Sequence, residues 1–269
     1  MKKTISAAHA EFLKREKKRT VTIHLSRCFL LLFLLALWEV AAALGWVNPF
    51  ITSSPSRIVK TIFSLSTGGN LLYHAGVTLL ETLIGFFLST LLGFLFALLL
   101  WWNPTARKIA EPYVVVLNAL PKIALGPLLI IWCGTGQKAI LTMTVLVCIV
   151  IATMNLLGGF LSTDEGKILL LRSMGASKAN ILFKLVLPSS LSAFLSMLKI
   201  NVGMAWIGSV MGEYIVSKAG LGYLIVYGGQ VFKLDLVMSA IALLCLMATA
   251  MYAAIAALEK LLITNAGEK

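Results

Sequence analysis

Ionisable side chains inside apolar stretches are the residues of this chain that could do chemistry. They are Glu39, Glu81, Lys122, Lys199 and Glu213. Hydrolytic catalysis needs an activated nucleophile or two carboxyl groups facing one bond. The sequence shows no Ser/His/Asp constellation and no paired-carboxylate constellation, and its three histidines are scattered. We therefore predict no catalytic residue, and no enzymatic activity of the chain itself.

The sequence also lacks the patterns that hold metals or nucleotides. Its four cysteines have no C-x-x-C spacing and no neighbouring histidine, which is typical of small buried hydrophobes rather than of a metal site. No phosphate-binding G-x-x-x-x-G-K-[ST] motif occurs. Gly166-Lys167 has the Gly-Lys of the motif, but Ile168 follows it where the motif needs Ser or Thr. We expect this chain to bind no metal and no cofactor, and any ATP with its Mg²⁺ to be bound by another subunit.

Most polar features of the apolar stretches favour structural roles. Ionisable groups in hydrocarbon are costly, and for Glu39, Glu81 and Lys199 snorkelling or a helix-packing pair is favoured over a pathway role. Gly208 and Gly212 have the small-xxx-small spacing of closely packed helices. The same spacing is also consistent with a contact between two copies of the chain.

A group of polar residues around Pro121 allows two interpretations. Asn118, Pro121 and Lys122 are close in sequence, and the proline frees a backbone carbonyl that protein or a water-filled cavity must satisfy. Lys122 could attract an anionic solute, or it could pair with Glu213 and hold two helices together. Both interpretations remain open from the sequence. The candidate pathway residues are Asn118, Pro121, Lys122 and Glu213.

The elements that carry these residues are apolar enough for lipid. Hydrophobic residues make up 59% of the 269 residues, charged residues 13%, and the mean hydropathy is +0.93. Soluble domains are about half apolar and about a quarter charged. About six segments reach the roughly 20 residues that cross a bilayer. They are residues 27–47, 76–102, 111–132, 139–161, 189–215 and 236–258. The sequence therefore predicts an all-α membrane protein, with a first span too long for a signal peptide.

Lysine and arginine indicate the orientation of these spans. With the N-terminus in the cytoplasm, sixteen of the basic residues fall on the cytoplasmic side and five on the other. Headgroups then explain the net charge of +12 without a nucleic-acid partner. We predict both termini inside, a basic tail over residues 1–26, a transmembrane domain over 27–262 and a second tail over 263–269.

The longest internal cytoplasmic loop, residues 162–188, reads as two short helices. Ser162 and Glu165 have the spacing of a capping box, which predicts a helix start. Gly175 is suited to end that helix, because glycine adopts the left-handed conformation without steric cost. Ser177 is placed to cap a second helix, and Pro188 suits the first turn of the fifth span.

The loop is too apolar for a solvated linker. Ile168, Leu169–Leu171 and Met174 cover more than one helical face. They could pack on the protein's own helix ends, or they could form a docking surface for a cytoplasmic partner. The residues alone leave the two interpretations equal.

The same loop resembles a signature of ABC importer permeases. That signature is Glu-Ala-Ala, three residues, Gly, nine residues, Ile, any residue, Leu-Pro. Here Gly175 is followed after nine residues by Leu185, Val186, Leu187 and Pro188, so Leu replaces Ile. The Glu-Ala-Ala positions hold Leu169–Leu171, a departure that removes the polar contact of the glutamate.

The resemblance extends over most of residues 29–262 and is closest to the nitrate/sulfonate/taurine group. It includes SSPSRIV at 53–59, LPKIALGPLLIIWCGTG at 120–136, RSMGAS at 172–177 and GLGYLI at 220–225. It implies a type I ABC importer permease fold, and a loop that seats in a groove of the ATPase as the coupling helix. The coupling residues that it implies are Leu169, Leu170, Leu171, Met174, Gly175, Ala176, Ser177, Leu187 and Pro188.

The implied partners are two ABC ATPase subunits, a second permease chain in a homodimer, and an extracytoplasmic solute-binding protein. The implied location is the cell membrane, inner or plasma, as a multi-pass protein in the lipid bilayer. A nitrate-, sulfonate- or taurine-like anion is the expected solute. A vitamin or a pyrimidine precursor is the alternative, since related permeases serve those too. An ATP-independent secondary transporter is disfavoured, because it would need more ionisable residues deep in the spans.

Overall fold

The chain forms α-helices joined by short turns throughout the part that the computed structural model describes, residues 7–267, with side chains described at 12 and 15–262. The α-helices are α1 (Ala7–Ala43), α2 (Pro49–Thr52), α3 (Pro55–Gly68), α4 (Leu71–Trp102), α5 (Pro104–Ala119), α6 (Gly126–Cys133), α7 (Gln137–Leu161), α8 (Glu165–Ser173), α9 (Lys178–Ile181), α10 (Leu187–Ser189), α11 (Leu191–Val216), α12 (Leu221–Gln230) and α13 (Leu234–Gly267). A 3₁₀ turn (Lys122–Leu125) precedes α6, and a π turn (Leu182–Val186) precedes α10. No β-strand occurs in residues 7–267.

Within the described part of the chain, five helices are long and apolar enough to cross a membrane: α1, α4, α7, α11 and α13. Their places agree with five of the six predicted spans. The first of these helices ends at Ala43, before the predicted end at residue 47. Gly45 stops it with a φ of +73°, and Trp46 N–H donates to the carbonyl of Ala41 at 3.0 Å.

The third predicted span, 111–132, is broken at Pro121. Its residues belong to α5 and to the 3₁₀–α6 segment, which meet at an angle of 89°. Pro121 lies at the corner. Proline disfavours the helical conformation of the residue before it, and Leu120 is extended at φ −63° and ψ 129°. The pair is therefore one broken span or a re-entrant segment.

The core forms where α7 packs between α4 and α11 through small residues. A Cβ added to Gly85 of α4 would lie 2.4 Å from Thr144 Cγ2, and one added to Gly208 of α11 would lie 2.6 Å from Thr144 Cα. One added to Gly212 would lie 2.8 Å from Ile140 Cα. The Gly208-xxx-Gly212 face thus packs inside the chain, and the alternative of a contact between two copies is wrong for this face.

Two ionisable residues of the spans join helices, as the packing interpretation predicted. The Glu39 carboxylate near the end of α1 accepts hydrogen bonds from Ser56 N–H (2.9 Å) and Ser56 Oγ (2.7 Å) in the first turn of α3. Lys199 of α11 pairs with Glu259 of α13 at 2.8 Å. These contacts attach the outer helices α1 and α13 to the rest of the chain.

Candidate functional site

The predicted loop folds into a bent pair of helices, residues 164–190, which we call the elbow. It begins at Asp164, whose Oδ1 accepts hydrogen bonds from Gly166 N–H (2.8 Å) and Lys167 N–H (3.3 Å). The predicted capping box at Ser162 is wrong. Ser162 keeps a helical backbone at the end of α7, and its hydroxyl donates to the carbonyl of Gly159. Asp164 therefore caps α8 in its place.

Gly175 makes the bend of the elbow. Its φ is +79°, its N–H donates to the carbonyl of Arg172 at 3.0 Å, and Ala176 N–H donates to the carbonyl of Leu171 at 3.0 Å. This pair of bonds is a Schellman motif, which satisfies two carbonyls at the end of α8. The second helix starts at Ser177, whose Oγ accepts the N–H of Asn180. Both predicted helix ends are confirmed.

Pro188 lies earlier than predicted relative to the fifth span. That span, α11, begins at Leu191, and Pro188 lies in the short helix α10. Because proline has no N–H to give Lys184, the helix widens into the π turn, and Leu187 N–H donates to the carbonyl of Leu182. The ring is thereby accommodated without breaking the path from elbow to span.

The predicted docking residues divide into two sets. Leu169, Leu170 and Met174 are 66%, 61% and 74% exposed. Leu171, Ala176 and Leu187 are half-buried against the core. The packing interpretation is therefore right for the second set, and docking stays a prediction for the exposed first set. Gly175, Ser177 and Pro188 determine the backbone shape of the elbow and do not belong to its exposed apolar surface.

Two elbow residues were missed by the sequence analysis. Phe183 is 67% exposed, and Lys178 binds the C-terminal end of α4. The Lys178 ammonium donates to the carbonyl of Trp102 and lies 5.6 and 5.5 Å from the ring centroids of Trp101 and Trp102. No sequence signal pairs a lysine with tryptophans 76 positions away. The contact holds the elbow against the bundle.

The structure brings Asn118, Pro121 and Lys122 together but places Glu213 elsewhere. The Lys122 ammonium donates to the carbonyl of Asn118 at 3.0 Å, in the last turn of α5. Glu213 is 1% exposed, and its carboxylate accepts the N–H of Gly222 at 2.6 Å. The alternative in which Lys122 pairs with Glu213 is wrong, because each of the two side chains hydrogen-bonds to a backbone group instead.

Comparisons with known proteins agree with this architecture. Residues 89–264 match the family described as binding-protein-dependent transport system inner membrane component. The formylaminopyrimidine transport permease protein ThiX of Halalkalibacterium halodurans is 35% identical over 71% of this chain and 76% of its own length. The taurine transport system permease protein TauC of Escherichia coli is 26% identical over 87% of both chains.

A solved structure has the same fold. A chain of the methionine ABC transporter MetNI, in an inward-facing conformation, superposes with a TM-score of 0.60. The match covers 70% of this chain and 95% of that chain at 19% identity, so it shows the fold alone. The predicted type I importer permease fold is confirmed. The family match and the helical bundle together identify the chain as a membrane-spanning permease of the ABC importer family.

Proposed function

We propose that this permease imports a small sulfonate- or taurine-like anion and is driven by ATPase subunits that dock on the elbow. A permease of this family transports rather than catalyses, and it works with a separate ATPase and a solute-binding protein. We propose further that two copies of the chain form the membrane unit. ATP and Mg²⁺ then belong to the ATPase, and no cofactor to this chain.

The exposed apolar side chains of the elbow are the observation that carries the docking proposal. Leu169 and Leu170 lie on the nine-residue helix α8 and Met174 is its C-cap, and each of the three is more than 60% exposed. Burying one such side chain is favourable by about 1.5–3 kcal/mol. A partner with an apolar groove would gain that free energy from each of the three.

The elbow is also held firmly enough to transmit a push. Ile181, Leu182 and Val186 are buried in the core, so its second helix moves with the bundle. Lys178 ties the same helix to α4. A displacement of α8 by a closing ATPase pair would therefore reach α4 and α11 together, which suits alternating access.

The orientation proposed is the one predicted by lysine and arginine, with both termini and the elbow in the cytoplasm. Residues 1–6 and 268–269, part of both predicted tails, lie outside the described residues. The basic segment before residue 27 continues into the first span as one helix, α1. We keep the division into a tail over 1–26, a transmembrane domain over 27–262 and a tail over 263–269 as a functional proposal.

The anionic solute is supported by similarity to the taurine permease and by the cationic corner at Lys122. Import of a formylaminopyrimidine is the second candidate, since ThiX has the higher identity of the two relatives. Uptake into proteoliposomes that hold the permease, its ATPase and its binding protein distinguishes them. ATP-dependent uptake of labelled taurine, without uptake of labelled formylaminopyrimidine, is expected, and the reverse result would assign the second candidate.

The docking proposal is tested by Leu170→Glu. We expect the variant to reach the membrane normally but to lose co-purification of the ATPase and ATP-driven uptake by at least tenfold, because a charge enters an apolar contact. Leu170→Met should retain both, since its volume and polarity are similar. Thr105→Glu is the matched control, because it adds the same charge to an exposed position on the same membrane face. Undiminished uptake by Leu170→Glu would contradict the proposal.

A further inference from the structure

The structure brings two buried carboxyl groups together, although the sequence showed no carboxylate pair. Glu81 of α4 and Glu213 of α11 are 3% and 1% exposed and lie close together, beside the 2.6 Å hydrogen bond between Thr82 Oγ1 and Ser209 Oγ that joins the same two helices. No Lys, Arg or His of residues 15–262 lies within ion-pair distance of either. An unpaired charge at such a site is costly, so this arrangement needs a physical account.

The pair lies at the start of α12, and side chains of α4 and α11 cap that helix. The N–H of Gly220 donates to His74 Nδ1 (3.0 Å), that of Leu221 to Thr78 Oγ1 (2.7 Å), and that of Gly222 to Glu213 Oε2 (2.6 Å). A carboxylate at a helix N-terminus satisfies free N–H groups and is favoured by the helix dipole. These contacts favour the negative charge on Glu213 rather than on Glu81.

Two glycines let α12 approach this carboxylate. A Cβ on Gly220 would lie 2.3 Å from the Glu213 carboxyl carbon, and one on Gly222 would lie 2.8 Å from Glu213 Oε2. Gly220 also has a φ of +106°. The Gly-Leu-Gly of the GLGYLI segment is thus explained by contact with Glu213.

One oxygen of each carboxyl group remains without a donor. Glu81 Oε2 and Glu213 Oε1 are buried and accept no hydrogen bond from protein groups. Two ionised carboxylates in contact repel each other, whereas one acid donating to one carboxylate satisfies both groups. We infer that Glu81 and Glu213 form a proton-binding site, in which Glu81 donates one shared proton to Glu213 and so locks α12 onto the bundle.

Other titratable groups near this site lie on α4, α11 and α12, the three helices that form it. His74 lies on α4 and stacks on Tyr223 of α12 with ring centroids 5.8 Å apart, and Tyr214 follows Glu213 on α11. The inference does not depend on the solute or on docking at the elbow. When the pH rises enough to remove the shared proton, two adjacent negative charges remain, and the contact between α12 and the bundle is weakened.

The experiment uses the purified full-length chain in detergent. We expect the thermal midpoint of the wild type, followed by tryptophan fluorescence, to fall by roughly 5 °C or more between neutral and alkaline pH. Glu81→Gln should remove this fall, because the amide still donates to Glu213 but has no proton to lose. Glu111→Gln, at an exposed position of α5, is the matched control and should fall like the wild type.

Infrared spectroscopy provides a second readout on the wild type alone. A protonated carboxyl C=O band should be present at neutral pH, vanish at alkaline pH, and be absent from Glu81→Gln. Absence of the band in the wild type would overturn the inference, even if Glu81→Gln does not fold. An equal alkaline fall in Glu81→Gln and the wild type would also overturn it. Stabilisation of the wild type by Na⁺ but not by choline would also overturn the inference, because it would show that the two carboxyl groups bind a metal cation instead of a proton.

Discussion

At the level of single residues, the lysine at the corner between α5 and the 3₁₀–α6 segment has a local structural role. The carbonyl of Asn118 lies in the last turn of α5, where backbone acceptors lose their helical donors. The Lys122 ammonium supplies that donor at 3.0 Å and opposes the negative end of the helix dipole. A cation is thus fixed at the corner, whether or not an anionic solute passes it.

Substitution of Lys122 should therefore affect stability before it affects specificity. Lys122→Met removes a charge-assisted hydrogen bond worth about 1.5–3 kcal/mol, discounted for partial exposure to about 1 kcal/mol. We expect its thermal midpoint to fall by about 2–4 °C, while Lys122→Arg remains near the wild type. Thermal unfolding of the two purified variants measures this. Equal midpoints for Lys122→Met and the wild type would show that the contact contributes nothing.

At the level of helices, glycine determines how closely α11 and α7 pack. Gly208 faces the backbone of Thr144 on α7, whereas a Cβ on Gly203, on the same helix, would meet nothing within 4 Å. The two positions share residue type and helix and differ in their neighbours. They form a matched pair for measuring the contact.

We expect Gly208→Ala to destabilise the protein by about 1–3 kcal/mol, because the added methyl group meets backbone that cannot yield. Gly203→Ala should be neutral or stabilising by up to about 1 kcal/mol, since alanine is the better helix former. Denaturation of both variants in detergent compares them. A Gly203→Ala variant as unstable as Gly208→Ala would point to flexibility, rather than contact, as the role of these glycines.

At the level of the whole molecule, the proposal requires the elbow and α3 to lie on opposite sides of the membrane. Ser173 of the elbow and Thr67 near the end of α3 are both exposed, and both hydroxyl groups bond to the carbonyl of an earlier residue of their own helix. Replacing Ser173 or Thr67 by cysteine is a similarly small change at either position. The native cysteines Cys28 and Cys245 are exposed and would first be changed to serine.

In intact cells, a membrane-impermeant maleimide should label Thr67→Cys but not Ser173→Cys. After permeabilisation both should be labelled, which controls for reactivity. Charge counting predicts this sidedness, because the side of the N-terminus and of the elbow carries most of the basic residues. Labelling of Ser173→Cys from outside would place the elbow away from any ATPase and would refute the proposed function.

Much of the elbow was predictable from the sequence because its signals are local. The left-handed conformation at Gly175 and the cap at Ser177 depend on residues within one turn, and both are present as predicted. The membrane class followed from composition alone, since lipid is the only solvent that suits so apolar a chain. Pro121 likewise indicated a break, through its own missing N–H.

Contacts between distant residues were decided only by tertiary structure. Local rules do not give the 89° corner at Pro121, or the choice of Gly222 rather than Lys122 as the partner of Glu213. They also do not say which elbow leucines are covered, because exposure depends on the helices that pack behind them. The sequence determined that this is a multi-pass permease with a bent loop. Packing determined which elbow side chains are exposed and which carboxyl groups are buried together, because both depend on side chains that meet across helices.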